Sequence, residues 1–336
     1  MNKTPAFIMP VKISGSEREL RNFRTSVESI VNQTDPNWTL IMVDDYSNDQ
    51  KVYDLIDEFK AELKDKLHVL YSDKNYGAGA TRNKGVLYAN EIGAPFILFL
   101  DSDDLSDPRR LELVRKAFED ETVNVVYTSF DIIDENGNYV PPEKITPSIT
   151  EILEGHEVDI VEGENAWLTI VTKKKYTNLT SCTAVKTSLA VAEPFPIASV
   201  SEDSHTWVRY GAHPGKFVFL REIKGGYRVN TGEQSRSRTN NKNFYEQLYT
   251  VDSAGFEEGV KVAKKYGTMG GWDENELRTA FHVRLALSLI HGESEEFCKK
   301  SLDDALAISS KEKVLQYIDK LYCKPQFKAR MKAMVE

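Results

Sequence analysis

Short apolar runs alternate with helical stripes through the first hundred residues. Ala6 to Val11 predicts a strand; Ser16 and Glu19 have the spacing of a capping box, and Leu20, Phe23, Val27 and Ile30 follow at helical period. Trp38 to Val43 predicts a second strand, Val52, Leu55, Ile56 and Phe59 a second helix, and Leu67 to Tyr71 a third strand. A glycine-opened helix from Gly77 to Asn90 leads to a fourth strand, Phe96 to Leu100. Alternation at this spacing implies a doubly wound, mostly parallel sheet, in which ligands bind beyond the carboxyl ends of the strands.

The pattern then changes. Val123 to Ile133 reads as a strand, followed by Asn136-Gly137, the signal for a two-residue hairpin turn. Pro141 to Lys175 is rich in Pro, Gly and Glu with weak periodicity, so an irregular segment over a site is expected there. Phe217 to Leu220 returns to strand, and from Asn243 onward the chain reads as helical. Asp273 with Glu276, and Ser309 with Glu312, have capping-box spacing; Gly292 is a stop and Pro325 follows the later helix. The organisation read from this is a domain over 1–240, with halves 1–105 and 106–240, and a helical region over 241–336.

Acids gather where the strands end. Asp44 and Asp45 close the second strand, and Asp101, Ser102, Asp103 and Asp104 close the fourth. Asp107 before Pro108 suffices to start the next helix, which leaves Asp101, Asp103 and Asp104 without a capping task. A hard divalent cation, Mn²⁺ or Mg²⁺, offsets such repulsion, and these ions are commonly held by one or two carboxylates plus the phosphates of a substrate. Asp44 and Asp45 also suit the start of a turn at Asp-Tyr-Ser-Asn.

Composition narrows the classes. A net charge of −9 argues against a nucleic-acid or anionic-membrane binder, which needs basic surface. MNKTPAFIMP is too short in apolar residues for a signal peptide, and no run approaches the roughly 18 that a membrane span needs. The three cysteines, Cys182, Cys298 and Cys323, are widely spaced, so neither a disulfide framework nor a zinc site is indicated. A reducing cytoplasm is the expected compartment, and the sequons at Asn32 and Asn178 are chance matches.

Five motifs in series resemble the inverting glycosyltransferases of family two, with the GT-A fold: PAFIMPVK at the first strand, SIVNQTDPNWTLIMVDDYSND at 29–49, NYGAGATRNKG at 75–85, FLDSDD at 99–104, and SEDSHTWVRYGAHPGK at 201–216 with GGYRVN at 225–230. The resemblance implies transfer of a sugar from a nucleoside diphosphate sugar, UDP-linked before GDP- or dTDP-linked, to an acceptor hydroxyl. By the same resemblance Asp45 would contact the base, with Asp44 beside it and the backbone at Pro10 and Val11 closing the pocket. Asp101 would approach the ribose, Ser102 beside it would belong to the nucleotide-sugar site, and Asp103 would hold the metal. Arg82 would compensate the acids or reach the phosphates, and Arg228 would lie near the diphosphate. Glu202 and Asp203 fall at the family's catalytic acids, Asp203 as the base, although acids also favour a helix amino terminus, which Ser201 could cap. His205 is set aside as a residue of the far helix face. Asn230 replaces a histidine that many relatives carry, and Arg236 and Arg238 in QSRSR suit either phosphate contacts or a linker.

The expectation is thus a metal-dependent enzyme whose acids at 45, 103 and 203 act on one donor. Its acceptor would be a glycan, a small molecule or a lipid-linked sugar reached by peripheral attachment. The helices after 243 would serve acceptor recognition, docking or a homodimer. A nucleotidyltransferase is the rival enzyme class; Lys12 to Arg18 lacks the glycine-rich basic loop it would need. A binding protein without turnover is the other rival.

Overall fold

The structure is a computed structural model, and it describes residues 4–141, 147–173, 178–229 and 243–336. Asn230, Arg236 and Arg238 lie outside the described residues. The chain divides into two compact units: the first comprises 1–145, 178–199 and 217–233, the second 146–177, 200–216 and 234–336.

The first unit is built on β1 (Ala6–Val11), β2 (Thr39–Asp44), β3 (Leu67–Tyr71), β4 (Phe96–Phe99), β5 (Val123–Ile133), β7 (Thr183–Lys186) and β8 (Lys216–Arg228); β6 (Gly163–Glu164) belongs to the second. The order in the first unit is β3-β2-β1-β4-β7-β5-β8. Strands β1 to β4 pair parallel, with Val11 opposite Asp44 and Ile8 opposite Phe99, whereas β7 runs antiparallel to both β4 and β5. The sheet is therefore mixed but mostly parallel where strand and helix alternate, as the apolar runs led one to expect.

Helices α1 (Glu17–Val31), α2 (Gln50–Leu63), α3 (Ala78–Glu91), α4 (Arg110–Ala117) and α7 (Thr187–Ala192) complete this unit. Phe23, Val27 and Ile30 of α1 and Val52, Ile56 and Phe59 of α2 pack with Phe7, Met9, Leu40 and Met42 in one buried cluster. Ser16 caps α1, its Oγ accepting the Glu19 N–H, but the Glu19 carboxylate accepts the Ser14 N–H at 2.7 Å instead of the Ser16 N–H, so only half of the expected capping box forms. On α3, Gly85 faces Ile8 and Val43, and a Cβ placed there would stand 2.6 Å from Ile8 Cγ2. That glycine lets the helix lie close on the strands.

The hairpin after β5 differs from the two-residue turn read in the sequence. Of Asn136 and Gly137 only Gly137 has positive φ, at 87°, and the Gly137 N–H donates to Asp134 O at 3.0 Å. Asp134 overrides the local Asn-Gly preference: its carboxylate accepts the N–H groups of both Asn136 and Asn138 at 2.8 Å, which closes a longer loop.

The second unit is helical: α5 (Pro147–Gly155), α6 (Ala166–Thr172), α8 (Glu202–Ala212), α9 (Phe244–Tyr266), α10 (Glu274–His291), α11 (Glu295–Ile308), α12 (Lys311–Lys320) and α13 (Pro325–Val335). Helices α5 and α6 fall in the stretch expected to be irregular. Ala166, Trp167, Ile170 and Val171 are buried at helical spacing, a stripe too short to stand out among the prolines and glycines around it. Asp273 caps α10 by accepting the Glu276 N–H at 3.0 Å, and Gly292 ends it. Ser310, not Ser309, caps α12, and Pro325 opens α13 instead of only terminating what precedes it. No helix among the described residues is long and apolar enough to cross a membrane.

Replacing Gly85 by Ala should cost about 1–3 kcal/mol, because the added methyl meets a strand side chain within a filled core. Urea unfolding checks this; a stability equal to wild type would show that Ile8 moves aside freely.

Candidate active site

The chemistry-bearing side chains of the first unit collect at the carboxyl ends of β2 and β4, which flank β1. Asp44 and Asp45 are both buried, with 1% and 3% of their surface exposed. Asp44 accepts the Ser47 N–H at 3.2 Å and so forms the turn its sequence suggested, with Tyr46 and Asn48 at positive φ. Asp45 does something else: its two oxygens accept the N–H groups of Tyr76 and Gly77, each at 2.8 Å. A carboxylate oxygen can accept more than one bond, so each still has acceptor capacity. Gly77, at φ 86°, caps α3. Beside this junction a cavity of about 400 Å³ is lined by Tyr71, Asp73, Tyr76, Thr81 and Lys84 among others. Pro10 is half-buried and Val11 buried; Val11 O accepts the Asp45 N–H at 2.8 Å, and Lys12 donates to Tyr46 O.

Four consecutive positions after β4 receive four different environments. Asp101 is half-buried, and both its oxygens accept from Arg82 Nη2, at 2.8 and 3.1 Å. Ser102 is buried. Asp103 is exposed. Asp104 is buried, and its Oδ1 accepts the Arg228 N–H at 2.9 Å. Burial holds the Asp104 carboxyl well above the usual carboxylate range, and the charges of Asp103 and Asp101 push the same way. The acid most accessible to a ligand is thus Asp103.

The loop carrying these acids is fastened on several sides. Ser26 Oγ donates to Asp101 O at 3.0 Å, and the Asp101 N–H donates to Ser181 Oγ at 3.0 Å. Leu105 and Gly226 exchange two backbone bonds of 2.8 Å each. The paired glycines leave little room for a side chain: a Cβ on Gly225 would lie 2.9 Å from Cys182 Sγ, and one on Gly226 3.1 Å from Leu105 Cβ, so either neighbour would have to give way. Arg228 Nε donates to Asp103 O at 2.7 Å and Nη1 to Asp134 O at 2.9 Å, so this residue grips the acidic loop through its backbone. Burial pulls its guanidinium below the usual value.

Beneath the loop lies a residue the sequence did not single out. Arg110 is 1% exposed and donates to Phe99 O at 3.1 Å and to Thr183 O at 3.0 Å, bridging β4 and β7. Burial lowers its pKa to about 10, opposed by the charge of Asp104, and raises the Cys182 thiol to about 11. The one available signal was a charge beside Leu111 on the face of α4 that carries Leu111 and Val114.

In the second unit, Glu202 and Asp203 open α8 and are half-buried. Ser201 has a left-handed backbone, φ 58°, and its side chain makes no cap bond, so it does not cap α8 as its chemistry allowed. Asp203 Oδ1 accepts the Ser204 N–H at 2.7 Å. His205 is buried, accepts from Arg209 Nε at 3.1 Å and stands 3.6 Å from a Glu258 oxygen, which is a core arrangement.

Among the described residues no group of three or more His, Cys, Asp or Glu side chains is arranged to hold a metal ion. A single exposed carboxylate with an arginine-paired acid two residues away nevertheless suits an Mn²⁺ or Mg²⁺ ion that takes its other oxygens from phosphates and water.

Asp104→Ala removes the acceptor of the Arg228 N–H and should cost about 1–3 kcal/mol, whereas Asp104→Asn keeps one accepting oxygen and should cost far less. Urea denaturation of both variants checks this. Equal losses would mean that the charge, not the hydrogen bond, is what the loop uses.

Comparison with known proteins agrees with this geometry. The model of the family described as Glycosyl transferase family 2 matches residues 8–181, just over half of the chain. An uncharacterised glycosyltransferase of Methanocaldococcus jannaschii is 28% identical over 229 residues, covering 68% of this chain and 72% of its own. The Escherichia coli protein named UDP-Glc:alpha-D-GlcNAc-diphosphoundecaprenol beta-1,3-glucosyltransferase is 32% identical over 124 residues, 36% of this chain and 46% of its own. The fold is shared with S. aureus TarS 1–349 in complex with UDP-GlcNAc, with a TM-score of 0.54 at 16% identity over 96% of this chain and 93% of that one. It is shared also with a Pyrobaculum calidifontis mannosyltransferase in complex with GDP-Man and Mn²⁺, with a TM-score of 0.54 at 15% identity over 100% and 85%. The acidic loop after β4, the GT-A-like sheet that presents it and the extent of the family match together make this chain a member of glycosyl transferase family 2, and hence a nucleotide-sugar-dependent transferase.

Proposed function

We propose that the chain is a metal-dependent, inverting glycosyltransferase that takes a UDP-sugar as donor and an acceptor hydroxyl as nucleophile. The observation that carries this reading is the sorting of the acids after β4, which exposes Asp103 at a strand end of the parallel sheet while Asp101 is half-buried against Arg82 and Asp104 is buried. The UDP-sugar named for the E. coli relative favours uridine.

Asp45 and the backbone at Pro10 and Val11 hold the nucleoside, Asp45 through acceptor capacity left beside the Tyr76 and Gly77 amides. Asp101, with Arg82 fixing its plane, and Ser102 face the ribose. Asp103 holds Mn²⁺ or Mg²⁺, which when bound stabilises charge on the departing diphosphate as a Lewis acid. Arg228 keeps Asp103 in place through its backbone carbonyl. Asp203, with Glu202 as its neighbour, takes the proton of the acceptor hydroxyl as that oxygen attacks the anomeric carbon. The reaction is carried out in a cytoplasmic setting, on a glycan, small-molecule or peripherally reached lipid-linked acceptor.

UDP with Mn²⁺ should raise the melting temperature, since a ligand that binds only the native state stabilises it. Asp103→Ala should remove that shift, and a wild type unmoved by any nucleoside diphosphate would count against donor binding. In an assay of UDP released from UDP-sugars, Asp203→Asn should keep the thermal shift and lose on the order of 10²–10⁴-fold in turnover. Unchanged turnover would remove Asp203 from its role.

A further inference from the structure

A second concave site lies wholly within the helical unit. Segments from the end of α6, the loop before α10, α10 itself and the end of α12 enclose about 330 Å³, at the lower end of the range for small-molecule sites. Its floor is apolar, with Ala280 and Val283 of α10 both buried. Around it stand Trp272, Tyr317 and Tyr322, together with Asp159, Lys173 and Lys320. Tyr322 is 69% exposed.

The charges are unequal. Lys173 Nζ lies 3.3 Å from Asp159 Oδ1, so those two offset each other while still offering a donor and an acceptor to hydroxyl groups. Lys320 Nζ stands 5.2 Å from the Tyr317 ring centroid and forms no ion pair among the described residues. One positive charge is therefore left over at the mouth of an aromatic-walled cavity. Aromatic faces take the C–H face of a sugar ring, hydroxyls go to the Asp159–Lys173 pair, and the surplus ammonium selects an acid group. A buried helix partner would need none of these polar groups, and a purely apolar ligand would leave the Lys320 charge unmatched.

We infer that this cavity binds an anionic saccharide, a sugar unit bearing a carboxylate or a phosphate, at a site of its own in the helical unit. The inference takes from the proposed glycosyl transfer only the reason for a glycan to be present.

Tryptophan fluorescence reads the site directly. Trp38, Trp167 and Trp207 are 3%, 0% and 0% exposed, whereas Trp272 is half-buried against the cavity. The full chain, without donor or metal, is titrated with a hyaluronan tetrasaccharide, with glucose 6-phosphate and with neutral cellotetraose. A saturable change with the hyaluronan tetrasaccharide or with glucose 6-phosphate is expected, the responding probe identifying carboxylate or phosphate as the anion. Cellotetraose, and Lys320→Gln with either acidic probe, should bind about tenfold more weakly, the scale of losing one charged hydrogen bond. Trp272→Phe should lose the signal. The inference is overturned by no saturable change with either acidic probe, by unaltered affinity in Lys320→Gln, or by cellotetraose binding equally well. Because no nucleotide enters the titration, a negative result leaves the UDP thermal shift to stand or fall separately.

Discussion

Three carboxylates within four residues cannot all sit ionised in one dry place, and the first unit is organised around that constraint. Like charges raise one another's pKa, and burial raises it further. The structure separates the three by environment: Asp104 goes inside, where burial disfavours its charge, Asp101 is matched to Arg82, and Asp103 is turned to solvent. Only the last has the exposure that a cation carrying its own phosphate and water ligands requires.

That separation depends on bonds made by backbone as much as by side chains. The loop is sewn to β8 through Leu105 and Gly226, to α1 through Ser26, and to the segment before β7 through Ser181. Arg228 contributes by gripping Asp103 O and Asp134 O with its guanidinium while its own N–H reaches Asp104. A residue that family likeness would send toward a diphosphate is thus, in this chain, first a fastener of the acidic loop. Asp45 is similar in kind: its two oxygens secure the start of α3 and keep acceptor capacity to spare.

Much of the fold was legible because the signals are local. Phe96 to Phe99 is an uninterrupted apolar run, and Ser16 and Asp273 cap their helices as their spacing from Glu19 and Glu276 indicated. What escaped is long-range. Arg110 looks like an ordinary surface charge until β4 and β7 close over it, and nothing near Gly225 and Gly226 announces that Cys182 and Leu105 will press against them. Asn136-Gly137 misled because the Asp134 side chain, not the dipeptide, sets the turn. Helix α6 was hidden by its short stripe. Asp103 could be named from sequence as the acid to test, whereas the different fates of Asp101 and Asp104 required Arg82 and Arg228 in place.

The central claim is that Asp103 alone of the three acids after β4 supplies a cation ligand. Electron paramagnetic resonance of Mn²⁺ in the presence of UDP tests it, because the sharp signal of free Mn²⁺ falls as the ion is bound. The account expects wild-type protein to deplete that signal saturably and Asp103→Asn to leave it nearly intact, with Asp104→Asn behaving as wild type. Full depletion by Asp103→Asn, or its loss in Asp104→Asn with the fold preserved, would contradict it.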